Sequence, residues 1–317
     1  MDIYILGTSG TFPTKDRNHP AIFMKYQKYG LLFDCGENTQ RQFKIMDLSP
    51  TDIDYVFITH WHGDHVLGLP GILFSLNNME YNRRLNIVIP KEYEDNFYQI
   101  LKGFNIELNF EVNIIYAKSG KIVETEDFEI FGIENKHSIV AYSYYFKEKD
   151  KIKLEKEKIK EYGLSIDQIK KLKSGQKINV GRRELDYTYF GYLRKGIKIT
   201  YITDTIYFDN LVKFAENSNI LISESTFFFQ PELAKKHYHM DFLEVVELFE
   251  KSNSDILLLT HISQRYEKEL ENIRNKVEKD NIYILKDFDK IIINKNKIFI
   301  RDKVYYFDDK SGKILRL

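Results

Sequence analysis

Short apolar runs of two kinds alternate along this chain. Residues 2–6, 21–26, 31–34, 54–59, 86–89, 111–116, 128–134 and 139–146 are rich in β-branched and aromatic side chains and read as strands. Helical patterns are interleaved over 38–46, 65–78 and 91–102. Further along, strands at 197–202, 219–223 and 255–260 are separated by helices at 207–216 and 240–251, so the class is mixed α/β. Residues 281–317 read as a strand-rich extension, with runs at 290–294, 297–300 and 304–307 broken by polar turns at Lys295-Asn296 and Asp308 to Gly312. No fixed short repeat and no low-complexity linker divides the 317 residues, which suits a single domain with a sizeable core.

The segment 147–195 interrupts this alternation. It predicts an amphipathic helix around 155–162, a break at Gly163, a second helix over 165–172 with Ser165 as its N-cap, and a stop at Ser174-Gly175. Its apolar residues (Ile152, Leu154, Ile159, Leu164, Ile166, Ile169, Leu172) are too few for a core of its own, so it is expected to protrude from the main body as an insertion. The whole chain is neutral, with 47 basic and 47 acidic residues, which excludes a general attraction to nucleic acid or membrane. Locally the balance is uneven: Lys147 to Arg183 holds eleven Lys and two Arg against four Glu and two Asp, a net +7 that leaves −7 for the rest. Such asymmetry is the footprint of polyanion binding when it lies on one accessible element, and a solvated helix face otherwise. The single cysteine, Cys35, excludes a disulfide framework and suits a reducing compartment, with the cytoplasm as the expected location. No run approaches the roughly eighteen apolar residues of a membrane span, and Met-Asp-Ile-Tyr lacks the pattern of an export signal, so no membrane association is expected.

The densest chemistry lies in Thr59-His60-Trp61-His62-Gly63-Asp64-His65, directly after an apolar strand. His60, His62, Asp64 and His65 are imidazole and carboxylate donors of the kind that bind zinc, and one ion cannot readily use all four at this spacing. Two ions about 3.5–4 Å apart could, and that separation serves hydrolytic displacement at phosphorus. More donors stand at equivalent places: His137 follows strand 128–134, Asp204 follows strand 199–203 and His261 follows strand 256–260. Ends of strands are where sheet proteins build sites from loops, although any one of these three taken alone reads more readily as a turn residue or a capped polar group.

These residues resemble the metallo-β-lactamase-fold hydrolases, whose HxHxDH motif matches His60, His62, Asp64 and His65. Within them the chain is similar to the ribonuclease Z family through Leu6-Gly7-Thr8-Ser9-Gly10, Pro13-Thr14-Lys15-Asp16-Arg17-Asn18, Phe33-Asp34-Cys35-Gly36-Glu37, Thr39-Gln40-Arg41-Gln42, Asp204-Thr205, Glu224-Ser225-Thr226-Phe227 and Thr260-His261-Ile262-Ser263 with Arg265-Tyr266. The resemblance implies an αββα four-layer sandwich with an inserted basic arm, and two zinc ions, for which manganese or iron would find the same donors acceptable. By it, His60, His62 and His137 hold one ion, Asp64, His65 and His261 the other, and Asp204 bridges them; Asp64 also accepts a proton from the attacking water. It further implies that His239, paired with Glu224, protonates the leaving ribose oxygen; the family's His-Ser-Thr reads His239-Met240-Asp241 here, with His237 two residues earlier as a rival.

The resemblance also turns the insertion into a flexible arm that clamps transfer RNA through its backbone, with Lys170, Lys171 and Lys173 as contacts. The family's Gly-Pro in the arm reads Gly163-Leu164, and Asn38 stands where glycine is common. Lys15 and Arg17 are expected to meet the RNA 3′ end, Arg17 by bidentate phosphate binding, with Asn18 bracing the loop. Trp61, between two donors, reads as a packing wedge. The implied activity is zinc-dependent removal of the 3′ trailer from precursor tRNA by a homodimer, cut after the discriminator nucleotide to leave a 3′-hydroxyl and a 5′-phosphate. Two alternatives stand beside it: a small-molecule phosphodiesterase or other hydrolase of the same fold, and a non-catalytic RNA-binding protein.

Overall fold

The computed structural model describes residues 1–315, so the last two residues of the expected extension 281–317 lie outside the described residues. Among the described residues two large sheets face each other. The first has ten strands in the order Lys313–Leu315, Lys303–Asp308, Lys297–Ile300, Lys290–Asn294, Asp2–Gly7, Ala21–Tyr26, Tyr29–Phe33, Tyr55–Phe57, Leu85–Ile89 and Val112–Tyr116. The second has seven, in the order Ile282–Ile284, Ile256–Thr260, Ile220–Glu224, Lys198–Ile202, Tyr142–Glu148, Phe128–Glu134 and Gly120–Glu124. From Tyr29–Phe33 to Val112–Tyr116, and from Ile282–Ile284 to Lys198–Ile202, neighbouring strands are parallel, and the remaining pairs are antiparallel.

Alternation along each strand sorts side chains into three layers of packing. In Ile220–Glu224, Ile220 and Ile222 join the core between the sheets while Leu221 faces helices on the outside. The inner core joins Ile5, Phe33 and Phe57 of the first sheet to Phe128, Phe146 and Tyr201 of the second. Outside the first sheet, Leu32 and Val56 pack on Phe43 of helix Thr39–Ile45 and on Leu69, Ile72 and Leu76 of helix Leu69–Asn78. Outside the second, Leu221 and Leu257 pack on Val245 and Leu248 of helix Phe242–Lys251 and on Ile273 of helix Leu270–Val277. The result is an αββα sandwich, and the central strands, buried on both faces, carry the near-continuous apolar runs such burial requires.

Several elements differ from the sequence pattern for identifiable reasons. The helix expected over 65–78 is two helices, Gly63–Val66 and Leu69–Asn78, because Pro70 lacks the donor and the room to continue a turn begun at Val66. At the break, a Cβ on Gly68 would lie 2.0 Å from the carbonyl oxygen of Gly36, so only glycine allows this approach. The strand expected over 139–146 spans Tyr142–Glu148, and strand Gly120–Glu124 and helices Pro231–Lys236 and Leu270–Val277 carried no clear pattern. Asn38 adopts φ 65°, the left-handed conformation that asparagine tolerates best after glycine, which accounts for its place ahead of helix Thr39–Ile45. The extension is divided: Ile282–Ile284 completes the second sheet, and Lys290–Asn294 pairs with Asp2–Gly7 of the first.

The insertion rises from strands Lys151–Leu154 and Gly191–Arg194, an antiparallel stalk. It carries helices Lys156–Glu161, Ile166–Lys173 and Tyr187–Phe190 and the hairpin Ile178–Val180 with Arg183–Leu185. Ser165 caps the second helix in a reciprocal box with Gln168. The insertion does have a small core, contrary to expectation: Leu172, Ile178 and Phe190 are buried against Leu154, Leu164, Tyr162 and Tyr187. The aromatic residues flanking the hairpin supply the apolar area that the lysine-rich helices lack, and Leu164 packs where the family's proline would stand.

Phe128, fully buried between the sheets with Tyr29, Tyr55 and Phe146 around its ring, sits where strands of both sheets meet. Phe128→Ala is expected to lower unfolding stability by about 3–5 kcal/mol, read from denaturant midpoints. A change within about 0.5 kcal/mol would contradict the packing described.

Candidate metal centre

Strand ends converge at one edge of the sandwich. Thr59 to His65 follow Tyr55–Phe57, His137 follows Phe128–Glu134, Asp204 follows Lys198–Ile202, Glu224 ends its strand and His261 follows Ile256–Thr260. His60 Nε2 lies 3.0 Å from His62 Nδ1, which lies 3.2 Å from His137 Nε2. Asp204 Oδ2 closes this group, 3.6 Å from His60 Nε2 and 3.9 Å from His137 Nε2. A second group joins His65 Nε2, His261 Nε2 and Asp64 Oδ2, with separations of 3.3, 3.4 and 3.6 Å. Asp204 reaches it too, Oδ1 at 3.3 Å from His261 Nε2 and Oδ2 at 3.5 Å from His65 Nε2.

The outward nitrogens fix which atoms face inward. His65 Nδ1 donates to Asp34 Oδ2 at 2.9 Å, His261 Nδ1 to the Thr226 hydroxyl at 2.8 Å, and His137 Nδ1 to the Tyr238 carbonyl at 3.1 Å. The Thr59 hydroxyl donates to Asp34 and accepts from His60 Nδ1 at 3.0 Å. These bonds place the protons on the outer side and leave bare lone pairs on the inner nitrogens of His60, His65, His137 and His261. Lone pairs and carboxylate oxygens 3.0–3.9 Å apart repel one another unless cations lie among them. Donors around a tetrahedral zinc at about 2.0–2.1 Å stand about 3.3–3.4 Å from each other, so the donor set fits two such ions sharing Asp204.

The electrostatics agree. Burial holds His60, His62 and His137 below the ordinary imidazole range, as neutral ligands should be. Burial also works against charge on His65, but Asp204, Asp64 and Asp34 around it outweigh that and favour positive charge at this spot. A divalent ion at Nε2 supplies the same charge. Asp34 is fully buried and also accepts from Thr59 N at 2.9 Å and Tyr201 Oη at 3.0 Å, which fixes it under His65. His261 and Asp34 sit at φ 57° and 56°, strained for residues with a Cβ, as is common where surrounding structure holds a site in place.

Beside the donors opens a cavity of about 800 Å³ lined by Phe12, His19, Leu67, Phe227, His237, His239 and Arg265 among others. His239 is buried and its Nδ1 meets both oxygens of Glu224 at 3.2 Å. Burial lowers its proton affinity, but the Glu224 carboxylate, followed by Asp204, pushes the pKa up to about 9. Glu224 is itself fully buried and fixed by Thr205 N at 2.9 Å and the Thr226 hydroxyl at 2.5 Å. His237, by contrast, is exposed and its ring stacks on Phe227 at 6.0 Å. Trp61 packs on Tyr93 at 5.7 Å.

One expected contact is corrected. Arg17 is 6% exposed and turns inward, Nε donating to Thr8 Oγ1 at 3.1 Å and Nη2 to the Thr8 carbonyl at 2.6 Å, so it braces the loop and cannot fork onto a phosphate. Its burial, opposed by Asp287, lowers its pKa to about 10 and leaves it charged. Asn18 braces the same loop through the Glu37 carbonyl at 2.8 Å. Lys15 is exposed beside Asp16 at 3.6 Å, and Lys170, Lys171 and Lys173 are exposed on the arm helix, away from the cavity lining. The pattern of residues gave no role to Asp34, Tyr201 and Thr226, which orient the donors, nor to His19, Phe12 and Arg265, which line the cavity. Asp34, Thr226 and Arg265 stand inside matched motifs, a signal without a stated chemistry; Tyr201, His19 and Phe12 had none.

Two ion sites sharing a carboxylate at the strand ends of an αββα sandwich define a metal-dependent hydrolase of the metallo-β-lactamase fold. Residues 1–283 match the family model described as Anti-Pycsar protein Apyc1. The ribonuclease Z of Nanoarchaeum equitans is 41% identical over 315 residues, covering 99% of this chain and 95% of that protein. That of Methanocaldococcus jannaschii is 36% identical over 279 residues, covering 85% and 88%. The crystal structure of human tRNase Z, short form, shares the fold with a TM-score of 0.68 at 23% identity, over 93% of this chain and 100% of that one. The chain belongs to the ribonuclease Z family, and most of its length also fits the Apyc1 model.

Asp34→Asn keeps the shape under His65 but weakens the acceptor. It is expected to reduce metal affinity about 10–100-fold in a competitive chelator titration, and an unchanged affinity would contradict the orienting role.

Proposed function

We propose that this protein is a zinc-dependent endoribonuclease that removes the 3′ trailer from precursor tRNA, cutting after the discriminator nucleotide to leave a 3′-hydroxyl on the tRNA and a 5′-phosphate on the trailer. The observation that carries this reading is the match to a ribonuclease Z along 99% of the chain, arm included. His60, His62 and His137 would hold one ion, Asp64, His65 and His261 the other, and the two oxygens of Asp204 both. Bound there, zinc supplies Lewis acidity toward a phosphate and makes water acidic enough to ionise near neutral pH. Asp64 meets His65 and His261 through Oδ2, which leaves Oδ1 to accept the proton of the attacking water. As the new O–P bond forms and the P–O bond to the ribose 3′ oxygen breaks, His239 gives that oxygen a proton from Nε2. Glu224, on Nδ1, fixes the ring and keeps it charged for this step.

The arm lysines Lys170, Lys171 and Lys173, with Lys15 at the early loop, contact RNA phosphates and supply affinity without reading sequence. The protein acts in the cytoplasm as a homodimer, one subunit's arm holding the RNA cut by the other. A small-molecule hydrolase of the same fold is the second reading, favoured by the cavity of about 800 Å³ beside the donors, which is of a size to enclose a compact phosphodiester.

One comparison separates the two. Asp64→Ala should abolish cleavage of precursor tRNA and leave RNA affinity largely intact. Replacing Lys170, Lys171 and Lys173 by Ala should weaken RNA binding, flatten its salt dependence by up to about three units of slope and spare turnover of bis(p-nitrophenyl) phosphate. Equal loss of both activities in the lysine variant would make the arm structural, and a parent protein that turns over the small ester but leaves precursor tRNA intact would favour the second reading. A pH profile tests the acid: His239 donates only while protonated, so cleavage should persist below its pKa of about 9 and fall as pH rises through it. Glu224→Gln removes the raising carboxylate and should move that alkaline limb to lower pH; a limb that stays in place would remove His239 from the role.

A further inference from the structure

The C-terminal turn between strands Lys303–Asp308 and Lys313–Leu315 lies between the sandwich and the stalk of the arm. On the sandwich side, Asn219 Nδ2 donates to the Gly312 carbonyl at 2.8 Å, Ile314 N to Asp255 Oδ2 at 3.0 Å, and Lys313 Nζ to the Asn253 carbonyl at 2.7 Å. On the stalk side, among the described residues, the polar contacts gather at or beside Asp309. Its carbonyl accepts from Lys195 N at 2.7 Å, its Oδ1 from Tyr192 Oη at 2.9 Å, and its Oδ2 from Lys153 Nζ at 3.0 Å, with Arg194 Nε at 3.8 Å. Lys310 lies over the Tyr192 ring at 4.7 Å. Asp309 is 5% exposed while Lys153 is half-exposed, so the carboxylate is shielded by the fold and its ion pair stays open to solvent on the lysine side.

We propose that Asp309 is a positioning residue that latches the arm's stalk to the sandwich and so sets the orientation in which the arm meets RNA. The stalk is a two-stranded ribbon of four residues a side, and such ribbons are marginal alone. Its other attachments, Lys151 to Asp127 at 2.7 Å and Arg194 to Glu148 at 3.0 Å, hold it to strands of the second sheet. Asp309 closes it from the remaining side through both strands, Lys153 on one and Tyr192 on the other. Asp309 lies outside the lining of the catalytic cavity. A latched arm is preorganised, and freeing it adds an ordering requirement to RNA binding while leaving the chemistry alone.

The inference rests on the arm's role in holding RNA, and the test separates the two. Asp309→Ala is expected to raise KM for precursor tRNA about tenfold with kcat unchanged, as loss of the charge-assisted and tyrosine hydrogen bonds to one buried carboxylate implies. Turnover of bis(p-nitrophenyl) phosphate should be unchanged, and amides of 151–154 and 191–194 should exchange hydrogen faster. Asp309→Asn, which still accepts from Tyr192, should recover part of the KM. Unchanged KM and exchange, or a parallel fall of both activities in both variants, would overturn the latch. If the parent protein does not cut precursor tRNA, the functional reading fails, and stalk exchange alone decides the latch: faster in Asp309→Ala supports it, unchanged overturns it.

Discussion

Seven side chains at the sandwich edge turn lone pairs and carboxylate oxygens toward one another at distances of 3.0–3.9 Å, and this convergence is stable only around positive charge. The rest of the structure serves that requirement. Parallel strands from both sheets end at the same edge, so residues far apart in sequence deliver donors to one place. The layer behind them, Asp34 with Thr59 and Tyr201, Thr226 with Glu224, and the Tyr238 carbonyl, decides which nitrogen of His60, His65, His137 and His261 points inward. Strained backbone at Asp34 and His261 is tolerated because these bonds over-determine both positions.

Metal donors and surplus positive charge are placed on different parts of the molecule. The cavity beside the donors holds His239, buried and charged through Glu224, together with apolar and aromatic side chains at its mouth. The arm has its own small core and carries exposed lysines, so its charge is displayed on a structured element and not on a loose tail. On the proposed function, this division lets a chain of zero net charge hold a polyanion: the surplus of +7 is concentrated on one insertion, while buried carboxylates face the ion sites.

Much of this was legible in the sequence where the determinant is local. Four donors in six residues after an apolar strand announce a metal site, and Ser165 with Gln168 announces a helix start. What depends on tertiary contact was not. Nothing in the run around Arg17 says that Thr8 will take its guanidinium, so a residue type suited to phosphate was read as exposed when it is buried. The arm's core was missed because Phe190 and Tyr187 lie beyond the lysine-rich stretch and return to it only through the stalk. The extension read as a separate tail, yet Ile282–Ile284 and Lys290–Asn294 join different sheets, a partition that alternation alone cannot reveal. The resemblance puts His239 ahead of His237, and of the two only His239 is buried against Glu224.

The central claim is that two ions held by these donors cut a transfer RNA precursor at one bond. The measurement that tests it is cleavage of a 3′-extended precursor tRNA by the purified protein, mapped to the nucleotide with the chemistry of both ends determined, and with metal content measured on the same sample. The account predicts two metal ions per chain and a single metal-dependent cut after the discriminator, leaving a 3′-hydroxyl and a 5′-phosphate. An intact precursor in a sample carrying both ions, or cleavage that survives their removal, would contradict it.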